Sequence, residues 1–106
     1  MSRMEKINQA FKREIGRMIL MGEIGDPRVQ AVTITYADIS KDLSWAHIGF
    51  SVLSDDPEVV KHALAGLNSA RGRVRKLLSE RVDIRLMPQI KFVYDSTIAD
   101  SFKMSQ

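Results

Sequence analysis

The chain has 106 residues, of which 44% are hydrophobic and 27% are charged, and its formal net charge is +3. This length and balance are typical of one globular domain, and the absence of cysteine excludes disulfide scaffolds, thiolate metal centres and cysteine nucleophiles. A cysteine-free chain fits a reducing, cytoplasmic environment. No apolar run approaches the ~20 residues of a membrane helix, so no membrane partner is expected.

Positive charge is concentrated in residues 71–91. This segment has seven basic and two acidic side chains, whereas the rest of the chain has nine basic and eleven acidic ones. Such segregation predicts a basic surface for a polyanionic partner. The alternative explanation is the ordinary solvated face of a helix.

The first predicted element is a helix over residues 3–21. Apolar side chains recur there at spacings of three and four residues, at Met4, Ile7, Phe11, Ile15 and Met18. Four basic side chains gather about a third of a turn away, at Arg3, Lys6, Arg13 and Arg17. Two glycines and an Asp-Pro pair follow, and they predict the end of the helix and a turn.

Two strands joined by a hairpin are predicted next, over residues 29–39 and 46–52, with a polar turn at 40–43 between them. So short a connection predicts antiparallel pairing. Alternation places the following side chains on the apolar side: Val32, Ile34, Tyr36, Ala46, Ile48, Phe50 and Val52. Trp45 has the opposite parity and is predicted to be partly exposed. The other strand aromatics are predicted to pack in the core and not to form a stacking platform.

A long apolar stripe predicts a helix over residues 57–82. An Asp-Pro pair begins it, which is a favourable helix start. Gly72 interrupts the stripe and costs about 1 kcal/mol relative to alanine in a helix interior. We therefore expect a kink at this glycine, or two consecutive helices.

Residues 84–95 predict a third strand, with Ile90, Phe92 and Tyr94 on one face. Pro88 lacks a backbone donor and belongs at a strand start, a bulge or an edge. The element order predicts an α+β fold in which helices cover one face of a three-stranded sheet. Residues 1–95 form the predicted domain, and residues 96–106 are predicted to be a short tail that starts as a frayed helix.

No catalytic constellation can be assembled from this sequence. The two histidines, His47 and His62, belong to different elements and share no motif. The glycine spacing matches neither a dinucleotide-binding loop nor a P-loop. Five aspartates lie beside prolines, at turns or at element ends, where capping and turn formation explain them, namely Asp26, Asp42, Asp55, Asp56 and Asp95. We therefore expect no enzyme, no catalytic or metal-binding residue, no cofactor and no small-molecule substrate.

Nucleic-acid binding needs only basic side chains displayed beside accessible backbone. A glycine near a helix N-terminus would let a sugar–phosphate backbone approach the free N–H groups there. Binding through shape and phosphates is expected more than base-by-base reading. The predicted RNA-binding residues are Arg3, Lys6, Arg13, Arg17, Ala70, Arg71, Gly72, Arg73, Arg75, Lys76, Arg81 and Arg85.

Several motifs, in their order and spacing, give the chain a family resemblance over nearly its whole length. They are Asp26-Pro27-Arg28, Val32-Thr33-Ile34-Thr35, Asp42-Leu43-Ser44-Trp45-Ala46, Ala70-Arg71-Gly72, Val74-Arg75-Lys76-Leu77-Leu78, Ile84-Arg85-Leu86-Met87-Pro88, Phe92 and Tyr94-Asp95-Ser96. In these motifs the chain resembles the bacterial ribosome-binding factor A family of small-subunit assembly factors. Members often continue into a longer C-terminal helix or charged tail, whereas this sequence stops at Gln106.

The resemblance implies a type II KH-like domain of order α-β-β-α(kink)α-β. In it an interhelical Ala-x-Gly kink, here Ala70-Arg71-Gly72, replaces the usual GxxG loop. It also implies binding to the free 30S subunit or its precursor and to 16S rRNA, with a role in late maturation, 5′-end processing and growth in the cold. We expect a non-enzymatic monomer. The alternative is a protein-interaction module anchored by Trp45 or Phe102, with only incidental RNA contact.

Overall fold

The structure, a computed structural model, describes residues 1–96. Its helices are α1 (Arg3–Leu20), α2 (Pro57–Ser69) and α3 (Arg71–Arg81), and its strands are β1 (Thr33–Ile39), β2 (Trp45–Ser51) and β3 (Gln89–Tyr94). The predicted order of elements is confirmed. Among the helices of this part of the chain, none is both long and apolar enough to cross a membrane.

The three strands form one sheet in the order β1-β2-β3. β1 pairs antiparallel with β2, as the short hairpin predicts, and β3 pairs parallel with β2 on its other edge. A parallel neighbour needs a crossover connection, which α2 and α3 supply. The central strand is therefore β2.

Two strands begin four or five residues later than predicted. The first strand begins at Thr33 and not at residue 29, because the Asp26 side chain accepts a hydrogen bond from the Arg28 N–H and starts a 3-10 helix over Pro27–Val29. The third strand begins at Gln89 and not at residue 84. Pro88 is buried and immediately precedes it, so its prediction at a strand start is confirmed.

The predicted inward position of Tyr36 is wrong. A β-bulge shifts the register between Ile34, which pairs with Phe50, and Tyr36, which pairs with Gly49. A bulge sets two residues against one, and the parity of the strand changes beyond it. Ile39 is consequently buried, while Tyr36 is 37% exposed on the opposite side of the sheet.

The core lies between the helices and one face of the sheet. Helix α1 contributes Phe11, Ile15 and Met18, all fully buried, as its apolar spacing predicts. The other helices and the strands complete the core with Ala63, Leu67, Val74, Leu78, Ile34, Ile39, Ala46, Ile48, Phe50, Ile90 and Phe92. Burying a side chain of the larger kind contributes roughly 1.5–3 kcal/mol. The helices thus cover one sheet face and leave the other open.

The predicted break in the long helix is confirmed as two consecutive helices. The junction residue is Ala70, at φ −93° and ψ 0°, two residues before the glycine that predicted the break. The Ala70 N–H donates to the carbonyls of Gly66 (3.2 Å) and Leu67 (3.0 Å), which closes α2. Gly72 itself is helical and exposed within the first turn of α3.

Candidate nucleic-acid interface

Helix α1 displays its basic residues because its opposite side is fixed in the core. The Ser2 hydroxyl caps the helix by accepting a hydrogen bond from the Glu5 N–H at 3.1 Å. With the apolar stripe buried, the predicted basic side chains all emerge into solvent, namely Arg3, Lys6, Arg13 and Arg17. The predicted separation of the two faces of this helix is therefore present.

The first half of α1 meets the end of α3 in a basic depression. This depression has a volume of about 300 Å³ and is called here the basic cleft. Its lining residues are Arg3, Lys6, Ile7, Ala10, Arg13, Arg81, Val82 and Asp83. Four predicted RNA-binding residues, remote in sequence, thus share one surface.

Two arginines of α3 are tied to Glu23, which lies in the loop after α1. The carboxylate of Glu23 is 2.6 Å from the Arg81 guanidinium, and the hydrogen bond between them raises the pKa of Arg81. The backbone carbonyl of Glu23 accepts a hydrogen bond from Arg73, near the other end of α3. An acidic residue is therefore placed between two cations that were predicted to bind phosphate.

Arg75 is engaged by backbone and not by solvent. Its Nε donates to the Pro88 carbonyl at 3.0 Å, and its terminal nitrogen donates to the Met87 carbonyl at 3.2 Å. The side chain is partly buried. These bonds attach α3 to the start of β3. Arg75 therefore stabilises the fold, whether or not it also binds RNA.

The junction between α2 and α3 presents backbone N–H groups to solvent. Ala70 makes no side-chain capping hydrogen bond to α3. A Cβ added to Gly72 would meet nothing within 4 Å, so packing does not require glycine there. The absent side chain instead leaves the start of α3 open to a close approach by an anion. Arg71 and Arg73 flank Gly72 on either side.

The remaining predicted residues are not in the basic cleft. Arg17 lies on the outer side of α1, Lys76 is exposed on α3, and Arg85 is exposed in the connection that leads to β3. The predicted residues thus fall into three groups: those in the basic cleft at the end of α3, those at the junction at its start, and single cations elsewhere. Eleven residues of helix separate the two ends by roughly 15 Å, at 1.5 Å per residue.

One basic residue beside the junction is missing from the predicted set. Arg28 forms an ion pair with Asp26 at 2.7 Å and also donates to the Ser69 hydroxyl at 3.4 Å. The arginine lowers the pKa of Asp26, chiefly through the side-chain hydrogen bond. A Cβ on Gly66 would lie 2.9 Å from the Cβ of Arg28, so this glycine allows the close packing.

The signal for Arg28 is the Asp26-Pro27-Arg28 triplet itself. An aspartate before a proline predicts a capped turn, and the structure shows that this turn packs against the last part of α2. Arg28 thereby reaches the interhelical junction from a distant part of the sequence. Charge segregation alone points to residues 71–91 and does not reveal it.

Comparison with known proteins agrees with this architecture. The sequence model described as ribosome-binding factor A matches residues 3–106. The chain belongs to the ribosome-binding factor A family. A curated ribosome-binding factor A from Shewanella loihica is 36% identical over 104 residues, which make up 98% of this chain and 74% of the relative.

Solved structures of the ribosome-binding factor A family share the fold. The crystal structure from Thermus thermophilus matches with a TM-score of 0.75 and 22% identity, covering 88% of this chain and 97% of that one. A second Thermus thermophilus structure, a homology model fitted into a cryo-EM map of a 30S complex, matches with a TM-score of 0.58 and 23% identity. This match covers 81% of this chain and 92% of the other.

Proposed function

We propose that the chain is a non-enzymatic assembly factor that binds the free 30S subunit or its precursor through 16S rRNA. It assists late maturation, including processing of the rRNA 5′ end, and supports growth in the cold. It acts in the cytoplasm as a monomer. The observation that carries this proposal is the basic cleft, where Arg3, Lys6 and Arg13 of α1 meet Arg81 of α3.

The chemistry of the cleft suits phosphate. Guanidinium groups donate two parallel hydrogen bonds to phosphate oxygens, and ammonium groups add compact positive charge. At the other end of α3, the uncapped N–H groups beside Gly72 form a second anion-binding position. A family relative has been fitted into a 30S complex, which supports the ribosome as the source of this RNA.

Two phosphate-binding positions on one helix would fix an rRNA segment in orientation as well as in place. Helix α3 is held by buried Val74 and Leu78 and by the hydrogen bonds of Arg75, so its two ends keep a constant separation. Contacts to phosphates position a nucleic acid without reading its sequence. The factor therefore holds one rRNA conformation until maturation is complete.

The direct test is sedimentation with purified 30S, 50S and 70S particles across a salt series. We expect selective co-migration with 30S particles, weakening steeply as salt rises, because phosphate binding releases counterions. Equal binding to all three particles would contradict the proposal of a small-subunit factor. It would leave a basic domain without a specific ribosomal partner.

The cleft is tested by the double variant Arg3→Glu/Lys6→Glu. Both side chains are exposed, so the fold is retained, and 30S affinity is expected to fall with a salt slope reduced by roughly one for each lost phosphate contact. The matched control is Lys41→Glu/Lys61→Glu, which makes the same change of charge at exposed positions outside the cleft. Equal losses in both variants would show that net charge alone matters. Cells carrying only the cleft variant are expected to accumulate 16S rRNA with an unprocessed 5′ end.

The alternative of a protein-interaction module is supported by the exposure of its first anchor, Trp45, which is 45% exposed. Its second anchor, Phe102, lies outside the described residues. Binding to naked 16S rRNA separates the two functions. Retention of affinity without ribosomal proteins supports the assembly factor, whereas binding to a purified ribosomal protein but not to rRNA supports the module.

A further inference from the structure

The sheet face opposite the helices carries two exposed aromatic rings. We propose that this face, called here the aromatic face and consisting of Tyr36, Trp45, His47 and Lys91, is a second RNA-binding surface that stacks unpaired bases of a single strand. The inference rests on the proposed function in taking RNA as the ligand. It adds a site that is separate from the basic cleft, since the sheet lies between the aromatic face and the helices.

Tyr36 packs against the backbone of Gly49. The β-bulge pairs this residue with Gly49, and a Cβ at position 49 would overlap Cδ1 and Cε1 of the Tyr36 ring. The ring therefore lies against the glycine backbone and remains 37% exposed. A partly exposed aromatic ring on the open face of a sheet offers a surface on which an unpaired base can stack.

Trp45 is anchored by its backbone at the start of β2. Its carbonyl accepts from the Ser40 N–H at 2.8 Å, and its own N–H donates to the Ser40 hydroxyl at 3.1 Å. On the other edge it pairs with Gln89 of β3. Because the strand is fixed on both sides, the exposed indole is presented from a rigid position.

The two rings are far enough apart to stack on two different bases and not on one. Trp45 and Gly49 are four residues apart on β2, about 13 Å at the usual rise, and His47 lies between them on the same face. Tyr36 lies over Gly49, so the aromatic face extends along the strand. Sheets that bind single-stranded RNA use such rows of aromatic side chains to stack two or three bases.

The composition of this face favours RNA over protein. Lys91 of β3 and Asp38 of β1 are both exposed and both pair with His47, so side chains of both charges lie beside the row of rings. Among the described residues of β2 and β3 that point to this face, Val93 is the single aliphatic one. The core of a protein interface is more apolar than this. Flat bases with polar edges fit rings that are surrounded by polar side chains.

The test uses the full chain and a short oligoriboadenylate, because the chain has a single tryptophan and its fluorescence therefore reports on Trp45. We expect the oligonucleotide to quench this fluorescence, and inorganic polyphosphate to leave it unchanged. Tyr36→Leu keeps an apolar cover over Gly49 and removes the ring. It is expected to weaken oligonucleotide binding about tenfold, within the range for one lost stacked base.

Fluorescence anisotropy of a labelled oligonucleotide extends the comparison to Trp45→Leu, with Tyr36→Phe as the control that keeps the ring. Leucine variants that bind as tightly as the parent protein would overturn the inference. So would a loss of 30S binding in Trp45→Leu with unchanged oligonucleotide affinity, which would assign the face to a protein partner. Arg3→Glu/Lys6→Glu distinguishes the two proposals, because its 30S binding tests the cleft alone.

Discussion

Gly72 is a residue at which the requirements of folding and those of binding can be distinguished. Its backbone is helical, and no neighbour lies within 4 Å of the position that a Cβ would occupy. Neither strain nor packing therefore explains a glycine in the first turn of α3. The feature that distinguishes it is an uncovered helix start next to Arg71 and Arg73.

Gly72→Ala is expected to leave the free energy of unfolding unchanged or to raise it by up to about 1 kcal/mol, because alanine favours a helix over glycine. Its affinity for 30S particles is nevertheless expected to fall, since a methyl group would stand where a phosphate is proposed to approach. Urea unfolding and sedimentation measure the two quantities on the same preparation. Gly16→Ala, on α1 and equally free of neighbours, is the control that gains helix stability without a binding change. An alanine variant that binds fully would contradict the role given to this glycine.

At the level of elements, the loop after α1 contacts two of the α3 arginines that are proposed to bind RNA. Glu23 contacts Arg81 through its carboxylate and Arg73 through its carbonyl. A phosphate that approaches Arg81 must compete with this carboxylate. The loop therefore orders the arginines, and we expect it at the same time to limit their affinity for RNA.

Glu23→Gln is expected to tighten binding to 30S particles and to steepen its dependence on salt, because Arg81 loses a competing anion. A filter-binding titration at several salt concentrations measures both effects. Glu58→Gln, exposed in the first turn of α2, removes the same charge away from these arginines. Equal tightening in both variants would mean that net charge is responsible. Weaker binding by Glu23→Gln would mean that ordering the arginines is the greater contribution of the loop.

The hairpin between β1 and β2 depends on one ionised carboxylate. Asp42 Oδ1 accepts from the Ser44 hydroxyl (2.6 Å), the Ser44 N–H (3.0 Å) and the Ser40 hydroxyl (2.8 Å). These bonds, led by the one from the Ser44 hydroxyl, lower the pKa of Asp42 to about 2. They also hold a turn in which Leu43 has a φ of 62°, a left-handed conformation that is unfavourable for leucine.

A carboxylate whose pKa is lower in the folded state stabilises the fold fully above its unfolded pKa of 3.8, and this contribution disappears as the pH falls through about 2. Acid unfolding of the parent protein is therefore expected to steepen between pH 4 and pH 2. Asp42→Asn is expected to flatten this part of the profile, measured by circular dichroism along a pH series. The control is Asp55→Asn, in the exposed approach to α2. An unchanged profile for Asp42→Asn would show that the turn does not depend on the charge.

At the scale of the whole molecule, local patterns predicted the elements better than their arrangement. Apolar periodicity correctly predicted α1 and the buried side of β2, because these features depend on residues close in sequence. The β-bulge before Tyr36 and the helix break at Ala70 depend on packing between elements. The bulge turns Tyr36 away from the core side that alternation predicted, and the break lies two residues before the glycine that predicted it. The parallel pairing of β3 with β2 depends on the crossover and has no signal in either strand.

The candidate site divides in the same way. Basic composition indicated the side chains on α1 and α3, and the resemblance to ribosome-binding factor A indicated the partner. The sequence alone could not predict that Arg3 lies near Arg81 or that Arg28 contacts Ser69, because both proximities depend on how the elements pack. A single sequence also gives no sign that Arg75 is committed to the carbonyls of Met87 and Pro88.

The position of β2 in the sheet has a consequence for synthesis of the chain. Its antiparallel partner precedes it, but its parallel partner β3 ends only at Tyr94, after both later helices. While the nascent chain emerges, the central strand therefore has one unpaired edge, and such edges invite pairing with other chains. A protein proposed to assist assembly of the small subunit thus completes its own sheet only when nearly all of its described residues have left the ribosome that makes it.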